Sequence, residues 1–102
     1  MAANEIHVGD IGTVLRCTIK DGSDAVNIST ATSKIIILED PSGNNSDKIA
    51  TFTTNGIDGK IQYTTISGDF DERGNWSIQA KVVLPSGTWY SDIYTFEVHG
   101  NL

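Results

Sequence analysis

Cysteine, proline and positive charge are all scarce in this chain, and each shortage narrows what the protein can be. A single cysteine, Cys17, leaves no intrachain disulfide and no cysteine metal cluster, and fits folding in a reducing cytosol. Seven lysines and arginines stand against 13 acids, a net charge of −6, so there is no basic face for nucleic acid, whose phosphates demand one. The longest apolar run, Ile35 to Leu38, falls far short of the roughly 20 residues that span a membrane as a helix. The opening MAANEIHVGD lacks the basic and apolar regions of a signal peptide. Only two prolines occur, with ten glycines, 38% hydrophobic and 20% charged residues. That balance suits a soluble globular protein, and 102 residues suit one domain over residues 1–102 with its own core.

Catalytic signatures are missing too. There is no GxSxG, no P-loop and no HExxH. His7 and His99 lie near opposite ends of the chain, in strand-like contexts without a neighbouring thiol or hydroxyl motif. Cys17 falls on the apolar face of a strand, where a free cysteine packs as a small hydrophobe. Glycoside hydrolysis needs two carboxylates held across a cleft, for which a domain this small has little room. The expectation is a protein that is not an enzyme and holds no cofactor or metal.

What the chain does have is strand after strand. TVLRCTIK alternates, with Leu15, Cys17 and Ile19 on one face, and ends at the turn DGSD. A short strand is expected around Ala25 to Ile28. SKIIILED is β-branched and apolar, and PSGNNSD breaks it. KIATFTT and KIQYTTI flank NGIDG, which reads as a hairpin loop. NWSIQAKVVL alternates most cleanly: Trp76, Ile78, Ala80, Val82 and Leu84 face one way, Ser77, Gln79 and Lys81 the other. In TWYSDIYTFEVHG the parity shifts near residues 91–93, the mark of a bulge. About seven or eight short strands with regular turns predict an all-β, immunoglobulin-like antiparallel sandwich, with a small barrel or jelly roll as the alternative. The expected core is Leu15, Ile19, Ile37, Phe52, Ile61, Tyr63, Trp76, Ile78, Ala80, Val82 and Phe96.

Three acids crowd the stretch GDFDERGNW: Asp69, Asp71 and Glu72. As an EF-hand starting at Asp69 it fails, because Arg73 takes the fifth position and Ala80 the twelfth, where oxygen ligands belong. As the corner before a core strand it succeeds: Gly74 suits an αL turn and Trp76 begins the buried face. Tyrosine is usual there, its hydroxyl bonding back to the upstream backbone, and Trp76 has only an indole N–H to offer. The acids then form a solvated loop, with Arg73 placed to neutralise one of them. Further on, Trp89 and Tyr90 are adjacent, so only one can point inward; Trp89 is expected in the core and Tyr90 over an edge. The sharper alternative makes them partner-facing anchors.

In the order of its elements the chain resembles the N-terminal domain of phage baseplate upper proteins and related immunoglobulin-like domains of tailed-phage virions. The segments that carry the likeness are GDIGTVLRCTIKDGSDAVNIS, SKIIILEDPSG, GKIQYTTISGDFDERGNWSIQAKVVLPSG and YTFEV, which cover about Val8 to Val98. The resemblance implies a non-enzymatic virion subunit of tail, baseplate or fibre attachment, made in the host cytoplasm without a signal peptide. Its partners are then other virion proteins: copies of itself, or tail, baseplate or capsid subunits. In the family a longer region follows this domain, whereas here the sequence stops at Leu102, which favours one repeated unit of an assembly over an adaptor arm. Alternatives are a capsid decoration protein of the same fold and a carbohydrate-binding module using Trp89, Tyr90 and the loop acids. Residues 2–9 are strand-like, with Ile6 and Val8 alternating about His7, and are expected to contact a neighbouring subunit or pair along its sheet. The candidate partner contacts are thus Ile6, His7, Val8, Trp89 and Tyr90.

Overall fold

A computed structural model describes residues 6–101, and among them there are eleven strands and no helix. The organising element is β9 (Gly74–Leu84), whose side chains alternate as the sequence predicts, with Trp76, Ile78, Ala80, Val82 and Leu84 all buried. Along one side of it runs β5 (Ser33–Glu39), antiparallel, with β6 (Asn45–Ile49) beyond. Its other side is shared: β11 (Tyr94–His99) covers the first half and β10 (Gly87–Tyr90) the second. Outside β11 lies β1 (Ile6–His7), completing a six-stranded sheet. A second sheet is built from β2 (Val14–Thr18), β8 (Lys60–Thr64) and β7 (Thr51–Phe52). A two-stranded ribbon, β3 (Lys20–Asp21) with β4 (Asp24–Ala25), turns at Gly22, whose φ is +65°.

The inner faces meet with β2 over β9 and β5 over β8, so the fold is an all-β sandwich. Between the sheets lie Leu15, Cys17, Ile19, Ile28, Ile36, Leu38, Ile61 and Phe70. The Phe70 ring stands edge-on to Trp76 at 5.4 Å and to Phe96 at 5.8 Å. Such T-shaped contacts add to the burial of each ring.

Four expectations need correction. The sandwich is not wholly antiparallel: β1 runs parallel to β11, with Ile6 opposite Val98, which puts both side chains in the core. There are more strands than seven or eight, since several are two-residue pairings and one edge is broken by a bulge. Ile37 is only half-buried and lies on the outer face. Four successive apolar residues carry no alternation, so pairing decides: Ile36 opposite Ala80 and Leu38 opposite Ile78 take the inner rows. Phe52, Tyr63 and Phe96 are half-buried rather than enclosed, and pack against the core from its margin.

The run KIATFTT also divides. Lys48 and Ile49 end β6, Ala50 is buried at the crossing, and Thr51–Phe52 pair with β8 in the other sheet. The loop NGIDG then closes that hairpin as expected, with Gly56 and Gly59 both at positive φ.

Candidate functional site

The outer face of the six-stranded sheet carries a strip of apolar side chains. One row runs Tyr90, Lys81, Ile35, Ile49 across β10, β9, β5 and β6. The next places Gln79 beside Ile37 and Asp47. Ile49 is 86% exposed, Ile93 64% and Tyr90 52%, with Ile35, Ile37 and Val83 half-buried around them. Between Ile37 and Ile93 lies an open cleft of about 180 Å³, edged by Glu39, Asn45, Ser77 and Gln79. Isolated exposed apolar residues are ordinary on a protein surface, but here several gather on one sheet face, interleaved with Lys81 and Gln79, as on a contact surface.

A bulge aims Ile93 into this strip. Tyr90 pairs with Lys81 and Tyr94 with Ile78, so residues 91–93 oppose only two residues of β9. The extra residue is held by Ser91. Its buried hydroxyl accepts the Ala80 N–H (2.8 Å) and donates to the Asp92 carbonyl (2.8 Å), and its own N–H donates to the Ala80 carbonyl (3.0 Å). The Gln79 amide donates to the Ser91 carbonyl at 2.9 Å. After the bulge Tyr94 falls on the inner row of Ile78, and Ile93 turns out beside Ile37. Cys17 sits behind this point, and burial outweighs the lowering influence of nearby Ser91 and Ala80 and pushes its thiol up to about 11.

The acidic corner is a different kind of place. Asp69 is buried, not solvated: its carboxylate accepts the Tyr63 hydroxyl (2.6 Å) and the Ile66 N–H (2.8 Å), and pairs with Lys48 at 3.1 Å. The cation that meets Asp69 is thus Lys48 of β6, while the Arg73 side chain lies against Gly100. Burial alone would raise the Asp69 carboxyl, but these donors outweigh it and hold it below the ordinary carboxylate range. Burial first, then the bond and charge of Asp69, push the Tyr63 hydroxyl up to about 12. The Trp76 indole N–H donates to the Glu72 carbonyl at 2.8 Å, which supplies the corner bond by another donor than the usual tyrosine. Gly74 has φ +132°, positive but outside the αL region expected for it. Asp40, Asp69, Asp71, Asn44, Ser46 and Lys48 edge a polar cleft of about 190 Å³ here. Among the described residues no three or more His, Cys, Asp or Glu side chains are placed to hold a metal ion.

The residues singled out from sequence fall in two separate places. Ile6 is 6% exposed and belongs to the core, and His7 and Val8 are half-buried. The His7 ring lies 5.5 Å from that of His99. Val8 donates to the His99 carbonyl (2.9 Å), and the Val8 carbonyl accepts the Asn101 amide (2.6 Å). Trp89 shares the inner row of Val82 yet is 38% exposed at the sheet margin, and Tyr90 faces the other way, onto the outer strip. The rows of Val98 and Tyr90 meet β9 at Gly74 and Lys81, about 23 Å apart along the strand. Residues 2–5 of the expected docking segment lie outside the described residues.

The sequence reading missed Ile35, Ile37, Ile49 and Ile93 as surface residues. A signal was there: an unbroken apolar run in a sandwich strand must place half its side chains on the outer face.

No protein-family model and no curated protein matches this chain. Among solved structures it is similar to CopC from Methylosinus trichosporium OB3b, with TM-score 0.55 and 13% identity over 99% of this chain and 91% of that one. At that identity the likeness speaks for the β-sandwich fold.

Proposed function

We propose that this protein is a non-enzymatic structural subunit of a tailed-phage virion, an immunoglobulin-like sandwich that works by holding neighbouring virion proteins. The observation that carries the reading is the apolar strip of Tyr90, Ile93, Ile35, Ile37 and Ile49 on the outer sheet face. A sandwich buries its inner faces for stability, and an apolar outer face is stabilised by covering with a second protein. The sequence resemblance supports a tail, baseplate or fibre-attachment position. A capsid decoration role uses the same surface.

The carbohydrate-module alternative has less support. Trp89 and Tyr90 point to opposite faces of β10, so they do not combine into one flat sugar platform.

The test is assembly in competition. Wild-type protein and an Ile49→Lys/Ile93→Lys variant are co-expressed during particle production, and their ratio is measured by mass spectrometry of purified particles. The variant should be depleted about tenfold or more, the effect of losing roughly 1.4 kcal/mol of contact energy. Its melting temperature should stay near that of wild type, because both side chains are already exposed. Absence of the chain from particles at any fixed copy number sinks the virion assignment. Equal incorporation removes the strip as the contact.

A further inference from the structure

Strand β6 is the outermost strand at one margin of the six-stranded sheet. Its pairing with β5 uses the even-numbered residues. The Ala50 N–H donates to the Lys34 carbonyl and the Asp40 N–H to the Asn44 carbonyl, both at 3.0 Å, with Lys48 opposite Ile36 and Ser46 opposite Leu38 between them. In an antiparallel pair the alternate residues turn their N–H and C=O away from the partner. Asn45, Asp47 and Ile49 therefore direct theirs outward from the sheet. The other margin is arranged differently: the His7 N–H donates to the Asp10 carboxylate (2.9 Å) and the His7 carbonyl accepts the Asp10 N–H (3.0 Å). Beside β1 the margin is thus closed by its own chain, whereas among the described residues no backbone partner meets the outward groups of β6. Open edges are templates for a further strand.

The two faces of β6 define what that strand must carry. On the outer face Ile49 continues the row of Ile35, and Asp47 that of Ile37. On the inner face Ser46 borders the polar cleft with Asp40 and Asp71 at its rim. The Lys48 ammonium is already engaged by Asp69. The other charges along this margin include Glu39, Asp40, Asp47 and Asp71, with Asp40 also accepting the Ser42 and Asn44 N–H groups, on a chain of net charge −6.

We propose that β6 receives an extended cationic segment of a different protein as an added antiparallel strand. This rests on the contact-module reading above and names the partner's chemistry. An apolar residue of the segment lies opposite Ile49, and lysine or arginine lies opposite Asp47 and over the Asp40–Asp71 rim. Backbone hydrogen bonds give affinity and these side chains give selectivity. A second copy of this chain fits badly, since two β6 strands paired about their centre set Asp47 against Asp47.

The test is a titration of the ¹⁵N-labelled whole chain with a capped synthetic hexapeptide, threonine–valine–threonine–lysine–lysine–threonine. The control peptide carries glutamate in place of both lysines. Amide shifts should centre on Asn45, Asp47 and Ile49, and their hydrogen exchange should slow several-fold. Asp47→Lys should weaken binding about tenfold. Asp47→Pro removes an outward N–H and leaves the inward ladder intact, so binding should be lost with little change in melting temperature. Shifts centred elsewhere, no binding at millimolar peptide, or equal binding of the glutamate peptide overturn the proposal. So do β6 shifts that grow with protein concentration alone, which would identify a second copy as the occupant. The titration needs no particles: a chain absent from virions that still binds the peptide loses the assembly reading and keeps the edge. Incorporation without peptide binding does the reverse.

Discussion

The Tyr63 hydroxyl and the Asp69 carboxylate meet at 2.6 Å, and through Lys48 the same carboxylate reaches β6 of the opposite sheet. One buried acid thus ties β8, the corner and the edge strand together. Such a carboxylate contributes more to stability ionised than protonated, because every partner is a donor.

Acid titration follows from that tie. The folded-state value of Asp69 lies below its unfolded one, so its contribution is complete above about pH 4 and is lost as pH falls through the folded value. Asp69→Asn should lower stability at neutral pH by about 1.5–3 kcal/mol and flatten the acid limb of the Tm profile. Parallel limbs for variant and wild type would show that Asp69 is not the group responsible.

Trp76 anchors the start of β9 by volume and by one hydrogen bond to Glu72. Trp76→Ala should cost about 3–5 kcal/mol, enough to unfold much of a domain this size. Trp76→Phe keeps most of the packing and removes the indole donor, for a loss of about 1–3 kcal/mol with the Glu72 carbonyl left unpaired. Denaturant unfolding separates the two, and a stable Trp76→Ala protein would remove Trp76 from the core account.

Gly59 combines a φ of +75° with crowding: an added Cβ would stand 2.8 Å from the Ile19 carbonyl oxygen and 2.9 Å from that of Val26. Gly43 has φ +89° and open space around it. Alanine at either position meets backbone strain of about 1–3 kcal/mol, and only at residue 59 does it also collide with backbone. Melting of the two variants should show Gly59→Ala clearly lower; equal losses would mean the loop yields without strain.

Cys17 should be inert while the protein is folded. With its thiol near 11, roughly one molecule in a thousand is thiolate at pH 8, and the sulfur is enclosed. A thiol reagent at pH 8 should label it only after guanidinium is added. Rapid labelling of native protein would reveal frequent opening between β2 and the Ser91 bulge.

Where polar and apolar residues strictly alternate, sequence alone determined the structure. The face of β9, the hairpin closed by Gly56 and Gly59, the tight turn at Gly22 and the break at residues 91–93 all follow from period two and glycine φ. Tertiary structure decided what local pattern leaves degenerate. The run Ile35 to Leu38 fits either face, and pairing with Ala80 and Ile78 chose one, turning Ile37 outward to make the strip. Lys48 and Phe52 look like one strand, yet the chain changes sheet at Ala50 because the core closes there. Asp69 carries the same charge as Asp71 two residues on. Only the arrival of Tyr63, Lys48 and the Ile66 N–H from elsewhere makes its burial favourable, since a buried charge persists where donors replace the water it has lost.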